Sequence, residues 1–373
     1  MPAGATRASA VPSWRELLVP AALGWAIARC CLALGQLLSR RLVDVLPPPL
    51  GNRPFEDGLL VWDGVFYRML ATDWYSTARP DAARFFPLYP GLGRALAPLV
   101  GGNEELALLL VSNVSALLGA VLVGRLTAEV TGDGAAARRV TWIVALFPSA
   151  FVLAFAYTEA LALVLTAGTL LALHRRAFLV AGLLAFGCAL LRPVGGLVLV
   201  PIVVELYRHR RHTTWWQGAV AVLGPLGGLG TALWWISRST GDLLLPVDEQ
   251  SKLRGGFQDP VTRMLEPVGE LLRGNTKDVY NLLFMWLLLA LLVVAIRRRQ
   301  PLSWTTFAGA SLLVLYSSQV TDSVGRYGLL IVPLLVALAQ WAEARWRVVL
   351  VAALGCSGLV WLSTLAWLGR VVP

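Results

Sequence analysis

The sequence contains 373 residues, of which 57% are hydrophobic and only 14% are charged, and its formal net charge is +10. A soluble domain has about 25% charged residues, so this composition excludes an ordinary soluble protein and indicates a polytopic membrane protein. The positive charge does not indicate nucleic-acid binding, because the arginines form short clusters between apolar segments and no basic domain is present.

The predicted fold class is an all-α integral membrane protein with about eleven membrane-spanning segments in a single domain covering residues 1–373. Several segments are shorter than the roughly 20 residues of a straight span, and Pro148, Pro193 and Pro201 interrupt them. Short or broken helices of this kind usually line a cavity. The predicted spans are 17–38, 105–130, 140–155, 158–173, 178–191, 194–207, 216–236, 280–296, 302–318, 327–341 and 348–368.

One arginine, Arg29, lies inside the first apolar segment. A charge at that depth costs about 2.5 to 3.5 kcal/mol, so Arg29 is expected to face the bundle or to pair with an acid. The alternative is a helix that begins later or an arginine that extends to the membrane surface.

Clusters of cationic residues follow alternate predicted spans and predict the orientation of the chain. The positive-inside rule makes residues 1–16 a cytosolic tail in the plasma membrane. Residues 39–103 and 238–279 then form two large external loops. The clusters are Arg138 with Arg139, Arg175 with Arg176, residues 208–212, residues 297–299, and Arg345 with Arg347.

The most polar and aromatic stretch of the first hundred residues runs over 62–90, in the first external loop. Residues 62–75 carry apolar side chains at helical spacing, which predicts an interfacial helix. Asp63 lies among aromatic residues there, and a carboxylate in this position could take the proton from an incoming sugar hydroxyl. The alternative is an aspartate that caps a helix starting at Gly64.

Three further charged residues lie at the external ends of predicted spans. Glu159 could accept hydrogen bonds from sugar hydroxyls, pair with Arg192, or be a first-turn acid of its helix. Arg192 and Arg326 could bind a phosphate through paired N–H groups and stabilise negative charge on a leaving group. Extension of Arg192 to the membrane surface remains the alternative for that residue.

No metal or cofactor is predicted. The three histidines fall in cytosolic turns, the four cysteines lie in apolar segments, and neither a glycine-rich phosphate loop nor an external Asp-X-Asp triplet is present. A lipid-borne sugar donor is therefore favoured over a nucleotide sugar with a bound cation. The loop 238–279 is rich in charged residues, which indicates either part of an acceptor site or a solvated loop.

Several short motifs together resemble the PIG-V-like mannosyltransferases, relatives of the enzyme that adds the second mannose during assembly of glycosylphosphatidylinositol anchors. The match covers most of the chain up to about residue 200 and the region near Arg326. Here Pro193-Val194-Gly195 follows Arg192, where eukaryotic members of the family have Ser-Asn-Gly. The matching motifs are Trp62-Asp63-Gly64, Phe85-Phe86-Pro87-Leu88-Tyr89-Pro90, Phe147-Pro148-Ser149, Tyr157-Thr158-Glu159, Arg192-Pro193 and Arg326-Tyr327.

The resemblance implies a type C glycosyltransferase fold and an inverting mannosyltransferase that uses a polyprenyl-phosphate-mannose donor. The acceptor would be a glycolipid, a glycan or a protein on the external face. A transporter of lipid-linked sugars and a non-catalytic partner of another glycosyltransferase are the alternatives. The expected site comprises the base Asp63 and the substrate-binding residues Trp62, Tyr67, Arg84, Phe86, Tyr157, Glu159, Arg192, Arg326 and Tyr327.

Overall fold

The computed structural model describes residues 11–46, 54–274, 279–320 and 322–372. Within these ranges the regular structure is helical, apart from an isolated antiparallel bridge between Phe257 and Ser318. The α-helices are α1 (Trp14–Leu42), α2 (Asp63–Thr72), α3 (Leu88–Leu96), α4 (Glu104–Thr131), α5 (Gly134–Leu146), α6 (Glu159–His174), α7 (Phe178–Leu191), α8 (Leu199–His209), α9 (Trp215–Thr240), α10 (Leu245–Arg254), α11 (Pro260–Leu272), α12 (Val279–Arg297), α13 (Leu302–Tyr316), α14 (Val324–Leu329), α15 (Val332–Trp341) and α16 (Arg345–Trp367).

Each of the predicted spans contains one of these helices, and the predicted all-α, multi-span fold is confirmed. Five helices of the described chain, α1, α4, α9, α12 and α16, are long and apolar enough to cross a membrane. Four shorter apolar helices, α6, α7, α13 and α15, pack among them.

Prolines explain where helix boundaries differ from the prediction. The span predicted at 140–155 ends as a helix at Leu146, because Phe147 is extended before Pro148, and a 3₁₀ helix follows at Ala150–Leu153. The span predicted at 194–207 begins with the 3₁₀ helix Pro193–Val198. The span predicted at 327–341 begins only at Val332, which leaves Arg326 and Tyr327 in the separate six-residue helix α14.

Small residues hold α7 and α9 together. A Cβ atom on Gly224 would lie 2.1 Å from the Gly182 carbonyl oxygen, and one on Gly228 would lie 2.2 Å from the Phe186 carbonyl oxygen. Only glycine allows the two backbones to approach this closely, as is usual for helices that associate in lipid through close van der Waals packing.

Arg29 faces the bundle, which is one of the two arrangements expected from the sequence. Its Nε donates to Asn113 Oδ1 at 3.1 Å, and its guanidinium lies over the Trp25 ring at 4.5 Å from the centroid. The partner is therefore an amide on α4, and no acid is needed to satisfy this arginine in the membrane.

The aromatic motif at 85–90 forms a second core beneath α2. The Tyr67 ring lies 5.0 Å from the Phe85 ring and 4.9 Å from the Tyr89 ring. Tyr89 is fully buried, and its hydroxyl donates to the Leu108 carbonyl at 2.9 Å. Buried aromatic pairs of this kind stabilise a fixed arrangement, so they determine where the N-terminus of α2 lies relative to α4.

Candidate active site

Asp63 occupies the first turn of α2, directly after a residue with unusual backbone geometry. Trp62 has φ 58° and ψ −117°, a conformation that costs on the order of 1 to 3 kcal/mol for a residue with a side chain. Contacts from α16 compensate: the Trp62 indole donates to the Ala366 carbonyl at 2.9 Å, and the Trp367 indole donates to the Gly58 carbonyl at 2.8 Å. The C-terminal end of α16 thus fixes the segment that leads into Asp63.

The Asp63 carboxylate forms an ion pair. Its Oδ2 atom accepts a hydrogen bond from Arg326 Nη1 at 2.6 Å, and its backbone N–H donates to the Tyr157 hydroxyl at 3.2 Å. The alternative that Asp63 caps the helix is wrong, because the N-cap residue is Trp62 and α2 has no side-chain cap. The Asp63 side chain is 27% exposed, so it remains open to a ligand.

Glu159 links the two arginines predicted from the sequence. Its Oε1 atom lies 2.8 Å from Arg192 Nη1 and 3.2 Å from Arg326 Nε. The prediction that Glu159 pairs with Arg192 is confirmed by this geometry. Direct contact with a sugar, the role expected from the motif, is not compatible with a side chain that is 2% exposed and already holds two guanidiniums. Glu159 positions these arginines instead.

Arg192 reaches Glu159 because the chain reverses directly after α7. Arg192 itself is extended, and the 3₁₀ helix that follows it packs back on the end of α7. A Cβ atom on Gly195 would lie 1.9 Å from the Cys188 carbonyl oxygen, so the turn needs glycine there. The Pro193-Val194-Gly195 sequence is therefore compatible with an arginine held at the end of a broken helix.

A further charged group of the site, Arg254 at the end of α10, was not predicted as a site residue. Its Nη2 donates to the Tyr327 hydroxyl at 2.9 Å, and its Nη1 donates to the Asp322 carbonyl at 3.0 Å. Main-chain hydrogen bonds between residues 254–258 and 317–320 hold this arginine in place, including Gln258 N to Ser317 O at 3.0 Å and Val320 N to Arg254 O at 3.2 Å.

The Tyr327 ring lies among three guanidiniums, with centroid distances of 5.0 Å to Arg192 and 5.3 Å to both Arg254 and Arg326. Burial opposes ionisation of its phenol, but the positive charges of these arginines outweigh burial and lower the pKa of Tyr327 to about 8. Tyr67 on α2 has no such excess of positive charge, and burial raises its pKa above the usual value.

Two neighbouring cavities meet at these side chains. The polar cavity, about 210 Å³, contains Asp63 and Arg326 in its wall, while the apolar cavity, about 360 Å³, extends between α6, α7 and α13. The apolar cavity follows α13 from Phe307 to Leu315, which is about 12 Å of helix. The wall common to both cavities, here called the neck, contains Arg192, Val194, Gln250, Arg254, Val320 and Tyr327.

Seven of the predicted site residues line the polar cavity and three do not. Trp62 and Tyr157 support Asp63 from behind through the hydrogen bonds described above, and Glu159 lies beneath the arginines, so the structure gives these three no direct contact with the cavity. The residues in the cavity wall are Asp63, Tyr67, Arg84, Phe86, Arg192, Arg326 and Tyr327.

No protein-family model matches this sequence, and no curated protein matches it. Among solved structures, ArnT from Cupriavidus metallidurans bound to undecaprenyl phosphate is similar, with 15% identity, a TM-score of 0.56, and coverage of 95% of this chain and 77% of ArnT. The oligosaccharyltransferase of Archaeoglobus fulgidus in complex with zinc and sulfate also matches, with 13% identity, a TM-score of 0.47, and coverage of 91% of this chain and 53% of that one. The likeness to ArnT confirms the predicted type C glycosyltransferase fold.

Proposed function

We propose that this protein is a membrane glycosyltransferase that transfers mannose, with inversion, from a polyprenyl-phosphate-mannose donor to a glycolipid, glycan or protein acceptor. One observation carries the proposal. The carboxylate of Asp63 and the guanidiniums of Arg192, Arg254 and Arg326 line one polar cavity, and Arg192 and Arg254 also line the apolar cavity that meets it. A lipid-linked sugar phosphate has the same three parts: a polar sugar, an anionic phosphate and an apolar chain.

The arginines in and beside the neck suit a phosphate. Arginine presents N–H groups in a planar fork that matches phosphate oxygens, and burial strengthens the interaction. Arg192 and Arg326 are each 8% exposed. The apolar cavity beside them can hold the first part of the lipid chain, and the fold is shared with ArnT, whose structure contains undecaprenyl phosphate.

The reaction that we propose is a single displacement at the anomeric carbon. The acceptor hydroxyl oxygen forms a bond to this carbon while the bond from the carbon to the phosphate oxygen breaks, and the bonding electron pair leaves with the phosphate. Asp63 takes the proton of the hydroxyl. The arginines stabilise the charge that grows on the departing polyprenyl phosphate, and Glu159 holds two of them in place. An inverting displacement converts a β-linked donor into an α-mannoside.

The choice of mannose rests on the resemblance to the PIG-V-like mannosyltransferases, and the structure supports the resemblance by placing its separate motifs together. Trp62-Asp63, Tyr157-Thr158-Glu159, Arg192 and Arg326 are far apart in sequence but join in one network of hydrogen bonds and ion pairs. We further propose that this network lies at the external face of the plasma membrane, because the arginine clusters at alternate turns favour a cytosolic N-terminus. The independence from metals stays a prediction.

The proposal is tested by incubating purified protein with radiolabelled polyprenyl-phosphate mannose and a membrane lipid extract, with and without a chelator. Incorporation of label into an acceptor supports the transferase, and the labelled product identifies the acceptor class. Binding of the donor without any transfer, combined with its movement across a vesicle membrane, would support a transporter instead. A protein that neither binds the donor nor transfers the sugar would fit a non-catalytic partner of another enzyme.

Replacement of Arg254 by glutamine is expected to weaken binding of undecaprenyl phosphate by about 10-fold, because a charge-assisted hydrogen bond to phosphate contributes on the order of 1.5 to 3 kcal/mol. Binding in detergent micelles measures this change. Arg273→Gln is the matched control, since Arg273 lies in the same loop region with a side chain that is 77% exposed and pairs with Glu270. Equal affinity of Arg254→Gln and wild type would remove Arg254 from the phosphate site.

The ionisation of Tyr327 gives the site an expected pH dependence. Below a pKa of about 8 the phenol is neutral, and above it a phenolate forms beside the arginines and competes with phosphate for them. Affinity for undecaprenyl phosphate is therefore expected to fall between pH 8 and pH 9. Tyr327→Phe should bind with nearly constant affinity over this interval, and an identical fall in both proteins would contradict the assignment.

A further inference from the structure

We propose that Arg326 exchanges partners during the reaction cycle: it holds Asp63 while the donor site is free, and the donor phosphate then takes Arg326 and releases the Asp63 carboxylate. The inference rests on the proposed function and adds a condition to it, namely that the base becomes available only after the donor has bound. It also fixes the order of events, because the donor must bind before the proton is removed from the acceptor.

The Asp63 carboxylate is in direct contact with Arg326. Arg326 Nη1 lies 2.6 Å from Asp63 Oδ2, which is a short, charge-assisted hydrogen bond. The guanidinium occupies the side of Oδ2 that faces it, so this oxygen cannot approach an acceptor hydroxyl from that side while the contact lasts. A catalytic base at this position must lose at least part of this contact before it can act.

The two acids that pair with Arg326 differ in how much of each side chain is exposed. Glu159 is 2% exposed and holds Arg192 and Arg326 from below, so no ligand can reach it. The Asp63 side chain is 27% exposed and lies in the wall of the polar cavity. Of the two carboxylates bound to Arg326, only Asp63 can be displaced by an incoming anion.

The other two arginines of the site, Arg192 and Arg254, are held by other partners. Arg192 is bound to Glu159, and Arg254 is bound to two main-chain carbonyls and the Tyr327 hydroxyl. Arg326 also forms an ion pair with the buried Glu159, at 3.2 Å between Nε and Oε1, so a negative charge remains beside its guanidinium when Asp63 leaves. Phosphate and carboxylate oxygens bind the same guanidinium fork, so the donor phosphate and Asp63 compete directly for Arg326.

This exchange couples the leaving group to the base. The proton acceptor is freed only when a phosphate binds Arg326, and the arginine that stabilises the departing phosphate is the same one that had restrained Asp63. When the product polyprenyl phosphate dissociates, Arg326 returns to Asp63. An acceptor hydroxyl that enters an empty site therefore meets a carboxylate that is not free to remove its proton.

The test is the affinity of the purified protein for undecaprenyl phosphate in detergent micelles. If Asp63 competes with phosphate for Arg326, then Asp63→Asn, which removes the competing charge, binds undecaprenyl phosphate more tightly, by about 10-fold. Asp73→Asn is the matched control: Asp73 is exposed, follows the other end of α2 and lies about 15 Å away along the helix, a distance at which salt screens its charge. It should bind like wild type.

A double-mutant cycle separates exchange from simple repulsion between Asp63 and phosphate. With Arg326→Gln as background, Asp63→Asn should no longer tighten binding, because no arginine is left to release. Tighter binding that persists in this background would overturn the exchange. Unchanged or weaker binding of Asp63→Asn alone would also overturn it, and that comparison does not depend on how well Arg326→Gln folds. Failure of the wild type to bind undecaprenyl phosphate would instead contradict the proposed function.

Discussion

Replacement of Asp63 by asparagine is expected to lower the rate of sugar transfer by about 10³-fold, because general acid–base catalysis contributes about 10² to 10⁴ and asparagine cannot accept the proton. The change keeps the size of the side chain. Asp63 is partly exposed, and its hydrogen bond to the Tyr157 hydroxyl is donated by the backbone N–H, which asparagine keeps. The fold should therefore be preserved.

The measurement compares initial rates of label transfer by wild type, Asp63→Asn and the control Asp73→Asn. We expect the control to match wild type. An active Asp63→Asn protein would show that another group removes the proton, whereas loss of transfer with intact binding of undecaprenyl phosphate would separate the chemical role of Asp63 from any role in holding the donor.

The second large effect is expected from Glu159→Gln, which should lower both the stability and the activity of the protein. Breaking a buried ion pair by removing one partner costs about 3 to 5 kcal/mol, because the other charge remains buried without compensation. In Glu159→Gln, the guanidiniums of Arg192 and Arg326 lose the carboxylate that lies between them. The free energy of unfolding is expected to fall by about 3 kcal/mol, since the glutamine carbonyl still accepts one hydrogen bond.

Thermal unfolding in detergent measures the change, with Glu105→Gln as control. Glu105 pairs with Arg68, but both side chains are well exposed, at 46% and 39%, and such a pair contributes about 1 kcal/mol or less. An equally small effect of both substitutions would show that the Glu159 network does not stabilise the fold. Transfer should also fall in Glu159→Gln, because the two arginines are no longer held in place.

Hydropathy and prolines were sufficient to predict the apolar helices of the eleven spans, because the membrane restricts a spanning chain to few solutions. α7 is found at the predicted residues 178–191, and the short helices that the prolines indicated are present. The pairing of Glu159 with Arg192 was predictable for a similar reason, since two opposite charges at the same depth of an apolar bundle need each other.

The remaining parts of the site depend on contacts that a single sequence does not encode locally. Arg254 appeared as one of many charges in a polar loop, and only the main-chain pairing of 254–258 with 317–320 brings it to the neck. The contact of Asp63 with Arg326 depends on how α2 and α14 meet in space, which no periodicity specifies. The positive φ of Trp62 has no sequence signal either, because a tryptophan rarely adopts it.

The order in which the chain is synthesised gives the network a further property. Glu159 and Arg192 are 33 residues apart, but Asp63 is 263 residues from Arg326, and Trp62 is 304 residues from Ala366. At about 5 to 20 residues per second, Asp63 is synthesised on the order of 10 to 50 s before its partner. The Glu159–Arg192 pair can therefore form in the nascent chain, while Asp63 and the strained residue before it are secured only after α14 and α16 have been inserted. A ribosome that stalls before Arg326 leaves a membrane-embedded chain in which Glu159 and Arg192 can pair but Asp63 lacks its arginine partner.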